Sequence, residues 1–467
     1  METLQRTANR GSVSTGYDID NSLKIEADNA ERMQRASESI GTPTSTQKAT
    51  ISLWVKRTEL KSSGNHFCWL GNAGATTSFI GFNDDCLRWI SDVSNAGVLK
   101  SNAVFRDTSA WYHIVFAFDT TQSTASNRIK AYVNGVQITS WSTETYPNQN
   151  NVIGIYELNM SHYIGWEDAG QQSGYFAEIY LIDGQQLAPT EFGEFDGDSG
   201  IWIPKEYTGT FGNEGYYLDF ENSSSLGADV SGNSNNFANL YNITAADQAT
   251  DTPTNNFCTW SPLWAEPRAN GTISEGATQV AWGGNAWKIA RSSIAVSKGR
   301  WYWEIKGANV TGDTWNNNLF GFASTESDGQ TGPSVLLGYS TGNYYYRVAS
   351  SQTGQDNFGN AGGAWSSSDT FAIALDLESS TKKFILYRNG SAVNGTGTDL
   401  VSAFQTEQFF TAYATAYNGD TQFLNWGGYT VNTISSAASD ANGYGTFEYA
   451  PPSGYYAICT KNLAEFG

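Results

Sequence analysis

Residues 299–306 read Gly-Arg-Trp-Tyr-Trp-Glu-Ile-Lys, a stretch with the composition of a β-strand that follows a glycine turn. Two later stretches have the same character: residues 369–376 (Asp-Thr-Phe-Ala-Ile-Ala-Leu-Asp) and residues 383–390 (Lys-Phe-Ile-Leu-Tyr-Arg-Asn-Gly). The last one ends at Asn389-Gly390, a dipeptide that favours a tight hairpin turn. The three stretches predict neighbouring strands of a β-sandwich.

The composition extends this prediction to the whole chain. Aromatic residues make up 14% of the 467 residues, and there are 48 glycines but only 10 prolines. Aromatic side chains favour half-buried pleated surfaces, glycine-rich turns connect short strands, and long apolar stretches with a helical period are missing. We therefore predict an all-β protein with two antiparallel β-sandwiches, within the two to four domains expected for this length.

The charge of the chain restricts its partners. The net charge of −20 argues against nucleic acid, because phosphate binding needs a basic surface. Between Lys130 and Lys205 there is no Lys or Arg, whereas ten acidic residues occur there. This region is either a solvated acidic face or a docking face for a basic partner or a bound cation.

The sequence also indicates where the chain is made. No run of 18 apolar residues is present, so we expect no membrane insertion, and the N-terminus lacks the apolar core of a signal peptide. Four cysteines (Cys68, Cys86, Cys258 and Cys459) do not make a disulfide framework. Edge strands could bring Cys258 close to Cys459, or both could be separate buried thiols. We expect synthesis in a reducing compartment.

The N-terminal part of the chain contains an arm and a first set of strand motifs. Residues 1–17 are polar and unpatterned, and we expect an arm that docks on a neighbouring chain. Residues 18–200 contain, in order, SLWVKR (52–57), WYHIVFAFD (111–119), RIKAYVNGVQ (128–137) and YFAEIYLIDGQ (175–185). These ordered motifs resemble laminin-G-like domains of the concanavalin A-like jelly-roll class, which implies that residues 18–200 form the first sandwich.

Residues 201–257 are predicted to connect the two sandwiches. Together with the residues before them they contain FGEFD (192–196), WIPKEYTGTFG (202–212), YLDF (217–220), DVSGNSNNF (229–237) and DTPTNNF (251–257). This block and the ending PPSGYYAICTKNL (451–463) resemble tailed-bacteriophage virion proteins, in which the block follows a concanavalin A-like domain. The resemblance implies a virion protein made in the host cytoplasm: a tail fibre, a head fibre or a capsid decoration protein.

Residues 258–467 resemble SPRY domains. The resemblance rests on the three stretches quoted first, on LFGFAS at 319–324 and on QFLNWG at 422–427. SPRY domains are β-sandwiches that bind partners through loops and are not known as enzymes. The resemblance therefore implies recognition, with other virion proteins and a host-surface glycan or receptor as partners, in a protein expected to form homo-oligomers.

Three aromatic residues are the candidates for ligand binding. Trp315, Trp365 and Tyr417 lie in segments rich in Asn, Ser and Gly, which we predict to be loops at the rim of the second sandwich. Exposed loop aromatics can stack on sugar rings or fill a pocket of a protein partner. The alternative is that these rings are buried under their own loops.

Calcium is the one cofactor that the sequence suggests. Asp229, Asn233 and Asn236, with Ser231 between them, supply carboxylate and amide oxygens in a glycine-containing loop. Hard cations prefer such oxygen ligands. The alternative is a loop in which Asx turns satisfy its own backbone.

No catalytic residue is predicted, and the alternative function is a polysaccharide-degrading glycoside hydrolase on the concanavalin A-like domain. Retaining enzymes need two carboxylates about 5–5.5 Å apart. The nearest candidates are Glu194, Asp196 and Asp198, but Ser199 stands where the family pattern E-x-D-x-x-E requires the last Glu. The three histidines, His66, His113 and His162, lack the spacing of a metal site.

Overall fold

The computed structural model describes residues 16–60, 65–73, 76–91, 97–156, 160–165, 173–263, 271–283, 288–306, 319–325, 327, 334–340, 343–348, 355–357, 366–400, 404, 409–416 and 421–467. They divide into two compact units, of which the first ends at Thr254 and the second begins at Asn255. We call them the N-terminal unit and the C-terminal unit. Among these residues, no helix is long and apolar enough to span a bilayer.

The described part of the N-terminal unit consists of strands and short 3-10 helices. The strands are β1 Ser22–Ile25, β2 Arg32–Arg35, β3 Lys48–Arg57, β4 Asn65–Ala73, β5 Thr76–Asn83, β6 Cys86–Ser91, β7 Gly97–Val104, β8 Trp111–Asp119, β9 Ile129–Val133, β10 Val136–Gln137, β11 Trp141–Thr145, β12 Ser161–Ile164, β13 Gly174–Asp183, β14 Gly193–Phe195, β15 Trp202–Pro204, β16 Tyr216–Leu218, β17 Asn239–Tyr241 and β18 Gln248–Ala249. The 3-10 helices are Ala27–Asn29, Ser37–Ser39, Ala125–Asn127, Gly154–Tyr156, Pro189–Glu191 and Ala245–Asp247.

These strands form two eight-stranded antiparallel sheets that pack face to face. In one sheet the order is β10-β9-β8-β3-β13-β1-β18, with β16 paired to β13, and in the other it is β11-β7-β6-β5-β4-β12-β2-β17. One continuous apolar core lies between them, to which Leu53 and Phe116 contribute from the first sheet and Trp69 and Trp89 from the second. Strands β14 and β15 form a separate hairpin.

The C-terminal unit repeats this architecture with different strands. They are β19 Thr272–Ser274, β20 Gln279–Ala281, β21 Lys288–Arg291, β22 Arg300–Lys306, β23 Leu319–Ser324, β24 Ser334–Ser340, β25 Asn343–Val348, β26 Gln355–Asn357, β27 Thr370–Asp376, β28 Lys383–Arg388, β29 Ser391–Ala392, β30 Thr398–Asp399, β31 Phe410–Ala416, β32 Gln422–Asn425 and β33 Tyr456–Ala457, followed by the helix α1 Thr460–Phe466. A nine-stranded sheet has the order β19-β20-β32-β22-β27-β28-β29, with β30 on β28 and β33 on β22, and a six-stranded sheet has the order β21-β31-β23-β24-β25-β26. Only β33 pairs in parallel among these described strands.

Residues 300–306, which lie within the stretch Gly299–Lys306, form β22 inside the nine-stranded sheet. Its alternate residues Trp301, Trp303 and Ile305 belong to the core between the two sheets. Glu304 therefore points to the opposite face, because successive side chains of a strand alternate. The prediction of an all-β protein built from antiparallel β-sandwiches is confirmed.

A hairpin turn at Asn134-Gly135 joins β9 to β10. Both residues have positive φ, 48° and 77°, as a type I′ turn requires. Glycine at position 135 also meets a steric demand, because a Cβ atom there would lie 2.3 Å from the indole ring of Trp202. The turn thus depends on its own sequence and on a residue of the later strand β15.

The segment predicted to be a connector lies within the N-terminal unit through Thr254. Three of its strands extend the two large sheets: β16 pairs with β13, β17 with β2, and β18 with β1. These strands have only two or three residues each. Such short strands give no alternating pattern long enough to predict where they pair.

Buried ion pairs hold this segment on the sandwich. Three of its acidic side chains each pair with a cation of an earlier strand: Glu214 with Arg35 at 2.5 Å, Asp247 with Lys24 at 2.9 Å, and Asp251 with Lys56 at 2.6 Å. All six side chains are less than a tenth exposed. Because a buried charge without a partner is strongly unfavourable, the segment and the sandwich depend on each other.

The four cysteines are free thiols. Cys258 and Cys459, which the sequence left either paired or separate, are both buried and separate. Burial raises the pKa of the Cys459 thiol to about 12, so the thiol is protonated and unreactive at neutral pH.

We predict that Asp251→Asn destabilises the N-terminal unit by about 3–5 kcal/mol, because it leaves the buried ammonium group of Lys56 without its counter-charge. Urea unfolding followed by tryptophan fluorescence measures the loss. Asp84→Asn is the matched control, since the pair of Asp84 with Lys100 is partly exposed and should change stability by less than about 1 kcal/mol. Equal effects of the two variants would contradict this account.

Candidate functional site

The three predicted ligand-binding residues, Trp315, Trp365 and Tyr417, lie outside the described residues. The strands next to them in sequence are described. Residues 307–318 follow directly after β22, residues 358–365 precede β27 by four residues, and residues 417–420 precede β32 by one. The binding role of the three aromatic residues stays a prediction.

These three strands meet at one end of the nine-stranded sheet. Lys306, the last residue of β22, is paired with Thr370 of β27 on one side and with Phe423 of β32 on the other. The three predicted loops therefore connect to neighbouring positions of the sheet.

A shallow pocket, open to solvent and with room for about one water molecule, lies at this end of the sheet. Its floor lies on the face that points away from the core of the sandwich, because Ile305 and Leu424, the neighbours of the floor residues, belong to that core. The segment after β32 forms its wall. The lining residues are Glu304, Lys306, Thr370, Phe423, Asn425, Thr430, Asn432, Thr433, Ile434 and Glu448.

Glu304 fixes the floor of the pocket. Its buried carboxylate accepts hydrogen bonds from the backbone amides of Glu448 (2.9 Å) and Tyr449 (2.8 Å), from the Tyr302 hydroxyl (3.2 Å) and from Asn425 Nδ2 (3.1 Å). Burial raises the pKa of Glu304, and the four hydrogen bonds oppose this rise. Four donors from three parts of the chain make this floor rigid.

The rim of the pocket carries charges of both signs. The Glu448 carboxylate accepts hydrogen bonds from the backbone amide and the hydroxyl of Ser435. Slight burial raises the pKa of Glu448, but the hydrogen bonds from Ser435 and the nearby Lys306 ammonium outweigh it and bring the pKa below its ordinary value. Glu448 is therefore ionised at neutral pH.

The predicted calcium ligands form a loop that binds its own backbone. Asp229 Oδ1 accepts from the amides of Tyr217 and Ser231, both at 2.9 Å. Asn236 Oδ1 accepts from the Asp229 amide at 2.8 Å, whereas Asn233 turns its Nδ2 group to the Gly212 and Gly215 carbonyls. The structure thus brings Asp229 and Asn236 together, whereas the Asn233 side chain donates its hydrogen bonds to backbone carbonyls of another part of the chain.

This geometry is the Asx-turn alternative rather than a preformed ligand shell. In the described part of the chain, no three side chains of His, Cys, Asp or Glu lie close enough together to hold a metal ion. Calcium binding by this loop stays a prediction.

The acidic residues considered for glycoside hydrolysis lie on the β14–β15 hairpin, which is not part of either large sheet. Glu194 and Asp198 are exposed, and Asp196 accepts a hydrogen bond from the Ser199 amide at 2.6 Å. The hydrogen bonds from Ser199 lower the pKa of Asp196. A general acid needs the opposite shift, so this group is arranged to close a turn.

His113 lies beside Ser52, but their hydrogen bond has the wrong direction for nucleophilic catalysis. Trp202 Nε1 donates to His113 Nδ1 at 2.9 Å, so this nitrogen carries no proton. The other nitrogen, Nε2, must then carry it and donates to Ser52 Oγ at 2.8 Å. Complete burial lowers the pKa of His113 to about 3, and the neutral ring has a structural role.

Glu178 is a perturbed acid that the sequence analysis did not select. It occupies a β-bulge of β13, between Ala177 and Tyr180, with a φ of 51°. The sequence contained a signal of this bulge. Core-facing residues of a strand are two positions apart, but Phe176 and Ile179, which both face the core, are three positions apart. A charged residue at such a break indicates a bulge.

Three tyrosine hydroxyls surround the Glu178 carboxyl group. Those of Tyr17 and Tyr180 donate to Oε2 at 2.8 and 2.6 Å, and that of Tyr217 lies 2.8 Å from Oε1. Burial raises the pKa of Glu178 to about 7, and the tyrosine hydrogen bonds oppose the rise. Both oxygens are occupied by protein groups, so the cluster leaves no free position for a substrate.

The tyrosine cluster around Glu178 includes Tyr17, the last residue of the predicted N-terminal arm. Residues 1–15 of the arm lie outside the described residues, but Tyr17 is described and its hydroxyl also lies 2.8 Å from that of Tyr217. The chain is therefore attached to the first sandwich at residue 17.

Comparisons with known proteins agree with the fold of the N-terminal unit. Residues 33–176 match the sequence profile of a family described as the Concanavalin A-like lectin/glucanases superfamily. The first sandwich therefore contains a concanavalin A-like domain of the lectin and glucanase type, as the motifs between residues 18 and 200 predict. No curated protein matches the chain.

Three of the solved structures that match share little sequence with this chain. The SPRY domain of human HERC1 has 15% sequence identity and a TM-score of 0.25, covering 32% of this chain and 89% of its own. The LG1-3 region of the laminin α2 chain has 8% identity and a TM-score of 0.31, covering 88% and 62%. Domain 4 of the arabinanase AbnA from Geobacillus stearothermophilus, solved with arabinotriose, has 19% identity and a TM-score of 0.25, covering 32% and 66%.

We predict that Glu178 makes the N-terminal unit less stable as the pH rises. The folded-state pKa of about 7 lies above the ordinary value of 4.5, so the folded state holds a proton that the unfolded state releases. The stabilising contribution is complete below pH 4.5 and is lost as the pH rises through 7, by an amount on the order of 3 kcal/mol.

Urea unfolding of the wild type and of Glu178→Gln at pH 4.5, 6 and 8 isolates this contribution as the difference between the two pH profiles. Glu206→Gln, which changes an exposed carboxyl group of the same unit, is the control. Parallel profiles for the wild type and Glu178→Gln would show that the carboxyl group titrates normally.

Proposed function

We propose that this chain is a non-enzymatic structural and attachment protein of a tailed-bacteriophage virion. It binds a host-surface ligand, a glycan or a protein, and other virion proteins, as part of a tail fibre, a head fibre or a capsid decoration. The observation that carries the proposal is the ordered block FGEFD to DTPTNNF between residues 192 and 257, because no general rule for strands or turns demands these motifs.

The contacts of the described residues give this block a physical meaning. Three of its five motifs each supply a residue that fastens the segment to the first sandwich: Trp202 bonds to His113, Tyr217 to Glu178, and Asp251 to Lys56. Asp229 accepts the backbone amide of Tyr217 and so positions that tyrosine. The motifs that resemble virion proteins are therefore the ones that complete the sandwich.

The chemistry of the buried groups supports binding rather than catalysis. His113 is a neutral hydrogen-bond donor to Ser52, and Glu178 has both oxygens engaged by tyrosines. The C-terminal unit contributes the pocket beside Lys306, at the end of the sheet to which the predicted binding loops connect. We propose this end of the C-terminal unit as the attachment surface.

The direct test uses particles of the phage that encodes this chain. Purified particles should contain the protein at a constant copy number per virion, and particles that lack it should adsorb more slowly to the host. Antibodies against the C-terminal unit should block adsorption of complete particles. A protein found only in the lysate, and never in purified particles, would contradict the proposed virion role.

A glycoside hydrolase is the second candidate, since the description of the matching family includes glucanases. We expect no turnover of host polysaccharide by the wild type and unchanged binding by the double variant Glu194→Gln, Asp196→Asn. Release of reducing sugar measures turnover, with Glu206→Gln as a control for removal of an exposed carboxylate. Turnover by the wild type that is lost only in the double variant would establish the enzyme.

A further inference from the structure

We infer that the cluster around Glu178 is a proton-operated clasp, which holds Tyr17 on the first sandwich while the Glu178 carboxyl group is protonated and releases Tyr17 when that group ionises. The clasp consists of Glu178 and the hydroxyl groups of Tyr17, Tyr180 and Tyr217. The inference goes beyond the proposed function, because it concerns how residue 17 is attached to the sandwich and does not depend on a virion role.

The clasp contains more short oxygen–oxygen contacts than its hydroxyl groups have protons. The Glu178 carboxyl group lies 2.8 Å from the hydroxyl of Tyr17, 2.6 Å from that of Tyr180 and 2.8 Å from that of Tyr217. The hydroxyls of Tyr17 and Tyr217 make a fourth contact, at 2.8 Å from each other. Each hydrogen bond needs a proton of its own, and three hydroxyl groups supply only three. The fourth proton is that of a protonated Glu178.

With this proton on Oε1 of Glu178, every contact is a hydrogen bond. Oε1–H donates to the Tyr217 oxygen, Tyr217 donates to Tyr17, and Tyr17 donates to Oε2, to which Tyr180 also donates. After ionisation all three hydroxyls donate to the carboxylate, and the oxygens of Tyr17 and Tyr217 face each other with no proton between them. The observed arrangement is therefore the one that fits a protonated carboxyl group.

Ionisation also places a charge inside the protein. Glu178 is 3% exposed, and burial is the main cause that raises its pKa to about 7, while the tyrosine hydrogen bonds oppose the rise without cancelling it. The Asp219 carboxylate adds repulsion between like charges. On the strand side, β3 pairs with this part of β13 through Ser52 and Trp54, which carry no charge. The carboxylate thus favours a state in which water reaches it.

Glu178 is the group of the clasp that titrates near neutral pH. Burial and the nearby Glu178 raise the pKa of each of the three tyrosines, so their hydroxyls stay protonated in this range. The pKa of Glu178 in the closed clasp lies above the ordinary value of 4.5. The clasp is therefore most stable below pH 4.5 and weakens as the pH rises through about 7.

Tyr17 is the member of the clasp that can leave. Tyr180 and Tyr217 belong to the paired strands β13 and β16, and the centres of their stacked rings are 4.3 Å apart. Tyr17 precedes β1 and is only partly buried. The next fixed point is Ile19, whose amide donates to Thr254 Oγ1 and whose carbonyl accepts from it. Tyr17 can therefore move away and admit water to Glu178 without the separation of any strand.

The experiment is hydroxyl-radical footprinting of the full-length chain over a pH series from 5.5 to 8.5, with the oxidation of Tyr17 measured by mass spectrometry. Tyr241, an exposed tyrosine of the same unit, is the reference in each sample, and the buried Tyr180 reports unfolding of the sandwich. Oxidation of Tyr17 relative to Tyr241 should rise severalfold with pH, while Tyr180 stays protected.

Two variants and a control identify the group that titrates. In Glu178→Gln, oxidation of Tyr17 should stay low throughout, because the amide loses no proton and still donates to Tyr217. Asp219→Asn removes a charge that raises the pKa of Glu178, so the rise should move to lower pH. Glu206→Gln, which changes an exposed carboxyl group of the same unit, should behave as the wild type.

Each outcome decides the inference. A rise in the wild type that is absent from Glu178→Gln supports the clasp, and so does a rise that moves to lower pH in Asp219→Asn if Glu178→Gln does not fold. Constant oxidation of Tyr17 in the wild type overturns it. A rise that persists in folded Glu178→Gln overturns it, as does an unmoved rise in Asp219→Asn where Glu178→Gln does not fold. Oxidation of Tyr180 together with Tyr17 also overturns it, because the whole sandwich would then be opening.

Discussion

The N-terminal unit depends on covering the outer face of one of its sheets. Strands β3, β8 and β13 turn their apolar residues to the core, and their alternate residues, among them Lys56, His113 and Glu178, are polar yet buried. Buried polar groups must be paired, and a charge even more so. The segment from Trp202 to Asp251 supplies the partners, so the sandwich is complete only when this segment is in place. The same residues that read as a linker in the sequence are structural parts of the domain.

The sequence allowed the fold class to be predicted because the long strands carry their own pattern. β22, β27 and β28 were recognisable from their aromatic and branched apolar residues and from the Asn389-Gly390 turn, which are local signals. The role of residues 201–254 could not be predicted in this way. Their strands are two or three residues long, and the partners of their acidic side chains lie some 180 to 220 positions earlier in the chain. An ion pair over such a distance leaves no local sequence signal.

The candidate site, like the fold, was predictable only where neighbouring residues in the sequence carried the signal. Loop aromatics could be selected from composition, although the three residues chosen lie outside the described part of the chain. The pocket joins β22, β27 and β32 to residues 430–434 and Glu448, which are neighbours only through the register of the nine-stranded sheet and the path of the following segment. The calcium loop is a further example, since the spacing of Asp229, Asn233 and Asn236 fits both a cation and a self-capping turn, and only the hydrogen bonds distinguish them.

Native-state hydrogen exchange on the full-length chain tests most directly whether the covering segment is part of the folding unit. The amides of Tyr216–Leu218 in β16 should exchange with the same free energy of opening as those of β3, because both require unfolding of the whole N-terminal unit. The two sets of amides should respond equally to added urea. Exchange of the β16 amides at a much lower free energy, with β3 still protected, would show that the segment detaches alone and would contradict the account.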